Sequence, residues 1–521
     1  MGVNGIYGLS GSGLDIESMV KVGMMSKQAQ LDKMQQNYTK NEWKKEAFLD
    51  IYKDIEDFNL KKLTDYKLSS NMNARSATSS SDVIKATANG AAPVGTYTIE
   101  VSATATKAYL DGHAQLNFNS DSDLKVISLS NVKLSGNDTA TFTLTGAKDT
   151  ANIEINSSTT IYDLVSQVNK SGTGVNAIYD SAQGTFSFYT PNTGSDATIA
   201  ISSTDPEALY LLNAMQLYDV SPNSGTGKIE ASATSSFTSA TTISASGTNA
   251  VVLVDGKPIS DELTKSNSFT VKGVTFNISN VTKKTTAVVN VDQDTEKIVE
   301  NVKSFVDEYN ELLDKIYDAY REAPNSSYKP LTDAQKAEMT EDQIKKWEEK
   351  AKSGMLYHDQ TLRKIIDSVR TSVTSKVTES TSDYDSVYKL GITTKGMYGE
   401  LQLDEDKLRE ALKNDSNAVY NVFANPNAKK SDSNSEGVAV RLSTALSNAT
   451  KSIETVAGRD ASTSSDSTLN TLLKSMQQRI SNFKKTMQTF EDNLYKKYDA
   501  MESALAGLGS QMSYLSSMFA S

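Results

Sequence analysis

The chain of 521 residues contains no cysteine, which removes disulfides, thiolate metal sites and cysteine nucleophiles together. Such avoidance suits a protein that is exported unfolded. Histidine is nearly absent too: His113 and His358 are the only two, and neither has a second histidine or a cysteine at metal-ligand spacing. No basic block occurs and the net charge is -11, so the basic stripe that nucleic-acid binding requires is missing. No apolar run is long enough to span a bilayer, so membrane insertion is not expected. The first residues lack a basic stretch followed by an apolar core, and export is therefore expected to proceed without a cleaved signal peptide. Asp404, Glu405 and Asp406 form a carboxylate cluster of the kind that binds cations, but their place at a helix start suits cap and dipole duties. No catalytic residue, metal or cofactor is expected.

What the chain does have is an apolar fraction of 38%, enough for real cores, and a length that fits three or four domains at about 150 residues each. Its dominant pattern is the last stretch. Leu473, Met476, Ile480, Phe483, Met487, Phe490, Leu494, Tyr498, Met501, Leu505, Leu508, Met512, Leu515 and Phe519 follow one another at steps of three and four, a heptad seam with one stutter. So narrow a stripe cannot be buried by the helix that carries it, and a partner helix must lie along it. At about 1.5 Å per residue the helix would run roughly 70 Å. From Ser503 onward no side chain is charged, and Gly507 and Gly509 interrupt the pattern at about 1 kcal/mol each relative to alanine. This tip is expected to be marginal alone and to order within an assembly.

The opposite end is similar. Residues 1–14 are uncharged and glycine-rich, and helical periodicity then begins at Ile16, Met19, Val20 and Met24, resumes at Leu31, Met34 and Tyr38, and strengthens through Phe48, Ile51, Tyr52, Ile55 and Phe58. The two ends are expected to pair with each other and with copies from neighbouring subunits. From about Asn73 to Val291 serine, threonine, alanine and glycine dominate and short alternating runs replace the helical period. Within that region Ile153–Ile155, Thr160–Asn169, Val175–Tyr179 and Thr185–Tyr189 read as strand, short helix and hairpin, and Val251–Val254 with Asp255-Gly256 as a turn, followed by Phe269, Val271, Val274, Phe276 and Ile278, suggests a second sheet. Helix returns at Thr295–Tyr320. Capping boxes are expected at Thr332 with Gln335 and at Thr340 with Gln343, and a helix stop at Gly354. A small hairpin follows at Leu390–Leu403, then helices after Asp404 and from Val438 to Val456. Trp43 and Trp347 are expected to anchor packing, and the lysine pairs Lys44-Lys45, Lys345-Lys346, Lys484-Lys485 and Lys496-Lys497 to be solvated faces. The order helix, sheet, helix implies that the β region is inserted between two halves of a helical stalk.

Several of these stretches jointly resemble one family. Gly8-Leu9-Ser10-Gly11-Ser12-Gly13-Leu14-Asp15-Ile16, Val306-Asp307-Glu308-Tyr309-Asn310-Glu311-Leu312, the Leu331–Leu356 stretch, Leu390-Gly391-Ile392-Thr393 and the terminal seam are similar to the flagellar filament cap, or flagellar hook-associated protein 2, family. The unit from Ile155 to Tyr189 resembles a repeat that this family shares with flagellins. Gly23 departs from the pattern, standing where such proteins commonly have an apolar helical residue, and no proline precedes Leu31. The resemblance implies a multidomain α plus β fold, with coiled-coil legs, a helical stalk and nested β-rich heads. It implies a homo-oligomeric ring at the extracellular tip of the flagellum that retains exported flagellin while it folds into the filament. Flagellin, the hook–filament junction protein and an export chaperone are the implied partners.

Together the nested order and the resemblance divide the chain into a leg (1–42 and 475–521), a stalk (43–75 and 292–474), one β-rich head (76–115 and 232–291) and a second head (116–231) with the flagellin-like repeat near 153–190. Contact with the filament or the junction protein is expected at Leu9, Leu14, Ile16, Leu505, Leu508, Met512, Leu515 and Phe519, and coiled-coil burial along Leu473–Met501. Two other readings stay open: another flagellar axial or junction protein, and a surface adhesin that uses the β-rich heads.

Overall fold

A computed structural model describes residues 15–112, 115–116, 124–126, 134, 138–219, 242–279, 281, 283–378, 380, 382–396, 398–429, 431–461 and 466–519. The expectations for Leu9, Leu14 and His113 lie outside the described residues. The chain divides into two compact units, Met1–Met72 with Glu296–Ser521, and Asn73–Thr295. The β region is thus an insertion within a helical unit, and the fold is the expected mixture of long helices and nested sheets.

The helical unit begins with α1 (Ile16–Asp57), which Asp15 caps by accepting from the Ser18 N–H at 3.0 Å. Hydrogen bonds from Ser18 hold the Asp15 carboxyl below the usual carboxylate range. The helix runs through Gly23 without a break. A π-helical turn at Phe58–Lys62 and the short α2 (Ser69–Met72) close this half.

In the inserted unit the strands are β1 (Arg75–Ser79), β2 (Ile84–Ala88), β3 (Gly95–Ala103), β4 (Lys107–Gly112), β5 (Thr139–Gly146) and β6 (Thr150–Asn156). Helix α3 (Ile161–Lys170) follows, then β7 (Asn176–Asp180), β8 (Thr185–Thr193), β9 (Thr198–Ser202), α4 (Pro206–Met215) and β10 (Leu217–Asp219). The insertion ends with β11 (Ile243–Ser246), β12 (Val251–Val254), β13 (Lys257–Pro258), α5 (Asp261–Thr264), β14 (Ser268–Val271), β15 (Val274–Ile278) and β16 (Thr285–Gln293). Two sheets, β1-β16-β3-β12-β13 and β14-β15-β2, share one apolar cluster around Ile99, Val101, Phe276 and Val289. Alternation does the sorting: Ala287, Val289 and Val291 of β16 are buried while the residues between them are exposed. The Asp255-Gly256 turn has φ of +52° and +75°, the left-handed pair that a two-residue hairpin of this twist needs.

A second pair of sheets, β10-β4-β8-β7 and β11-β9-β5-β6, closes with α3 and α4 over Phe142, Phe186, Phe188, Leu164 and Leu211. Here β4 and β11 join the second head, whereas the expected divisions at 115/116 and 231/232 would assign both to the first. β4 pairs with β8 and β10, and β11 with β9, so the crossover between the two clusters falls near Thr106 and Thr248. The strand–helix–hairpin unit is present as β6, α3, β7 and β8, with Thr160 and Asp163 forming a capping box at the start of α3.

The helical unit resumes with α6 (Thr295–Arg321), α7 (Asp333–Ala337), α8 (Glu341–Lys352) and α9 (Gln360–Thr374). After the hairpin β17 (Ile392–Lys395) and β18 (Glu400–Leu403) come α10 (Glu405–Asn414), α11 (Ala418–Phe423), α12 (Val438–Ala457) and α13 (Thr468–Phe519). The periodic face of α6 supplies the core: Phe305 meets Tyr66 at 5.2 Å and Phe423 at 4.9 Å, both edge to face. Capping boxes start α7 at Thr332 and α8 at Thr340, and Gly354 follows α8 with φ +69°.

Candidate functional site

The expected functional surface lies on α1 and α13, so its geometry starts with how those two helices meet. Asn41 Nδ2 lies 3.7 Å from Met476 Sδ, Tyr38 hydrogen-bonds Gln477 at 3.3 Å, and a Cβ at Gly23 would stand 2.8 Å from Leu494 Cδ1. Residue numbers fall on one helix as they rise on the other, and the two helices are therefore antiparallel. Lys27 reaches between two rings of the seam, with Nζ 5.8 Å from the Phe483 centroid and 5.6 Å from that of Phe490. Lys45, only 4% exposed, donates from Nζ to the Ala461 carbonyl at 3.0 Å, and burial lowers its pKa.

Burial along the α13 seam declines from root to tip. Leu473 and Met487 are buried, and Met476, Ile480, Phe483, Leu494 and Tyr498 are half-buried. Phe490 and Met501 reach 36% and 37% exposure. Beyond them Leu505, Leu508, Met512, Leu515 and Phe519 are all exposed, Met512 at 70% and Phe519 at 89%. Extending the pairing of Gly23 with Leu494 brings Met501 level with Ile16, the first residue of α1. The last turns of α13 therefore run past the described start of α1. Ile16, grouped with the tip residues in the sequence, is itself only 9% exposed, so the structure separates it from Leu505–Phe519.

The other candidates are occupied locally. Asp404 caps α10 by accepting from the Lys407 N–H at 3.2 Å, which lowers its pKa, and Glu405 and Asp406 pair with Arg409 at 3.1 and 3.7 Å. The His358 ring stacks on Tyr320 at 5.2 Å, and the backbone N–H of His358 donates to the Tyr320 carbonyl at 2.8 Å. Among the described residues no group of three or more histidine, cysteine, aspartate or glutamate side chains is placed to hold a metal ion, and no helix is long and apolar enough to cross a membrane. Trp43 is buried, and Trp347 donates to the Lys329 carbonyl at 2.8 Å. The facing seam of α1 runs through Ile16, Val20, Gly23, Lys27, Leu31, Met34, Tyr38, Asn41 and Lys45 in the same three-and-four rhythm; its five apolar members follow the helical periodicity of the sequence, and Gly23, Lys27, Asn41 and Lys45, which are not apolar, do not show in it. The stepping itself was the available signal.

Comparison with known proteins follows this geometry. The flagellar hook-associated protein 2 C-terminus model matches residues 247–510, just over half of the chain. The corresponding N-terminus model matches 12–108, and the flagellin hook IN motif matches 141–192. Flagellar hook-associated protein 2 of Halalkalibacterium halodurans is 26% identical over 98% of both chains. That of Thermotoga maritima is 26% identical over 70% of this chain and 53% of its own. The D1-D2-D3 domains of the flagellar cap protein FliD from Escherichia coli superpose with a TM-score of 0.51 at 24% identity, covering 78% of this chain and 95% of that one, a likeness of fold. Helical halves, inserted sheets and family matches at both ends and in the middle thus coincide, and the chain belongs to the flagellar hook-associated protein 2 family.

Proposed function

We propose that the chain caps the distal end of the bacterial flagellar filament, retaining exported flagellin and promoting its insertion into the growing lattice. Family membership carries the capping role, and one structural observation says how this chain would perform it: a long antiparallel leg ends in an uncharged helix whose apolar seam is exposed from Leu505 to Phe519. Exposed apolar stripes of that length belong against another surface. The filament end or the hook–filament junction protein is the surface we assign to Leu505, Leu508, Met512, Leu515 and Phe519. Binding there is by burial of apolar area, and no bond is made or broken. The working form is a homo-oligomeric ring at the filament tip, outside the cell. An export chaperone that covers the tip before assembly completes the partner set.

Deleting the gene is expected to leave non-motile cells that shed flagellin monomers into the medium, and electron microscopy of the purified chain should reveal rings. Normal filaments in the deletion strain would sink the proposal.

A further inference from the structure

Residues 324–354 leave the helical unit and return to it at one point. The Gly354 N–H donates to Glu322 Oε2 at 3.0 Å, and a Cβ at Gly354 would stand 2.3 Å from the Pro324 nitrogen. The neck is therefore closed, in the manner of a large Ω-loop, and what lies beyond it can shift without moving the neck. Inside the excursion α7 and α8 are tied together. Lys336 pairs with Glu348 at 2.8 Å, Trp347 donates to the Lys329 carbonyl, and its ring meets Tyr328 edge to face at 4.6 Å.

Little apolar surface fastens this excursion to anything else. α7 buries no residue and α8 only Ala351, with Pro330 in the segment before them, whereas α6 buries Phe305, Tyr309, Leu312 and Leu313 among others. Its grip on α1 is polar: Gln36 Nε2 donates to the Pro330 carbonyl at 2.7 Å, and Gln35 reaches Asp333 at 3.5 Å. Lys352 pairs with Glu46 at 2.9 Å and lies 5.6 Å from the Trp43 ring centroid. Both members of that ion pair are about half exposed, and such pairs contribute little and weaken in salt. Beside this contact an open groove of about 540 Å³ is lined by Lys329 and Pro330 on one side and by Asp32, Lys33, Gln36 and Lys40 of α1 on the other, so the two segments touch without packing closely.

We propose that residues 324–354 are a salt-labile strap over the root of the leg, hinged at Glu322 and Gly354, whose lifting frees Gln35, Gln36 and Glu46 of α1 while the rest of the helical unit stays folded. α1 is gripped along its seam by α13 and again by the strap at Gln35, Gln36, Trp43 and Glu46. Lifting removes the strap's grip alone and leaves the contacts of α1 with α13, with Asp359 and with α12 in place. Helices as short as α7 and α8 are marginal without a surface to rest on, so their amides report the lifted state.

The test is amide hydrogen exchange on the full-length protein at low and high salt, between which the screening length falls from about 10 Å at 0.1 M to about 3 Å at 1 M. Exchange across 332–352 is expected to rise about two- to fivefold at high salt, the range that the loss of exposed ion pairs allows, with α6 and α12 unchanged. Glu46→Lys should produce the same rise at low salt, and adding Lys352→Glu should reverse it by restoring the pair with its charges exchanged. Exchange over 332–352 that ignores both salt and Glu46→Lys would overturn the proposal. So would α6 and α12 accelerating in step with the strap, since that is general destabilisation.

Discussion

Leu473 and Leu508 occupy the same seam of one helix, yet the first is 2% exposed and the second 58%. Between them α13 changes character without changing rhythm. Its root runs against α1, with Lys484, Lys485, Lys496 and Lys497 in solvent between seam positions; its tip has the seam and no charge. Burying a leucine, methionine or phenylalanine contributes roughly 1.5–3 kcal/mol, and the root collects that within the chain whereas the tip can collect it only from something else. Two glycines in the tip, at about 1 kcal/mol each, leave it weaker still as an isolated helix. Heptad periodicity therefore establishes that a partner is needed, and burial tells which part of the seam already has one.

The sharpest break in the comparison comes from substituting equivalent positions. Leu473→Ala removes a buried side chain, and urea denaturation should register a loss of about 2–5 kcal/mol. Gly23→Leu drives a branched side chain into the seat of Leu494, and should cost about 1–3 kcal/mol in the same assay by overpacking. Leu508→Ala, by contrast, should leave stability within about 0.5 kcal/mol of the parent, because the side chain it shortens is already in solvent. A loss at Leu508 comparable to that at Leu473 would mean that the tip is packed within the chain.

Acid offers a smaller effect at the far end of α1. The Asp15 carboxyl titrates below its ordinary value because Ser18 donates to the charged form, so its contribution is full above the ordinary carboxylate range and is lost as pH falls through the depressed value. Amide protection, corrected for the slower intrinsic exchange in acid, should fall in the first turn of α1 below about pH 4. The α13 tip, which has no aspartate or glutamate after Glu502, should show no matching step at Leu505–Leu515.

Much of this was legible in the chain itself, for identifiable reasons. α6 and α13 announce themselves because a single apolar stripe repeats over many turns, and the boxes at Thr332, Thr340 and Thr160 are local patterns of four residues. Sheet membership was less legible. β4 and β11 alternate as strands should, but pairing partners such as Phe188 for Leu110 lie far away in sequence, and nothing local specifies them. The α1 seam was hidden by its own exceptions: Gly23 is vacant so that Leu494 can enter, Lys27 lies against two aromatic rings, and Lys45 is buried on a carbonyl. None of these registers in a count of apolar residues. The strap escaped notice because its polar contacts with α1 join residues some 300 positions apart.

The central claim is that the exposed end of α13 exists to bind something outside the chain, and one truncation tests it directly. Removing Ser503–Ser521 should leave the denaturation profile of both compact units unchanged while purified protein no longer attaches to filament ends in an electron-microscopic binding assay. Truncated protein that still decorates filament ends would contradict the account.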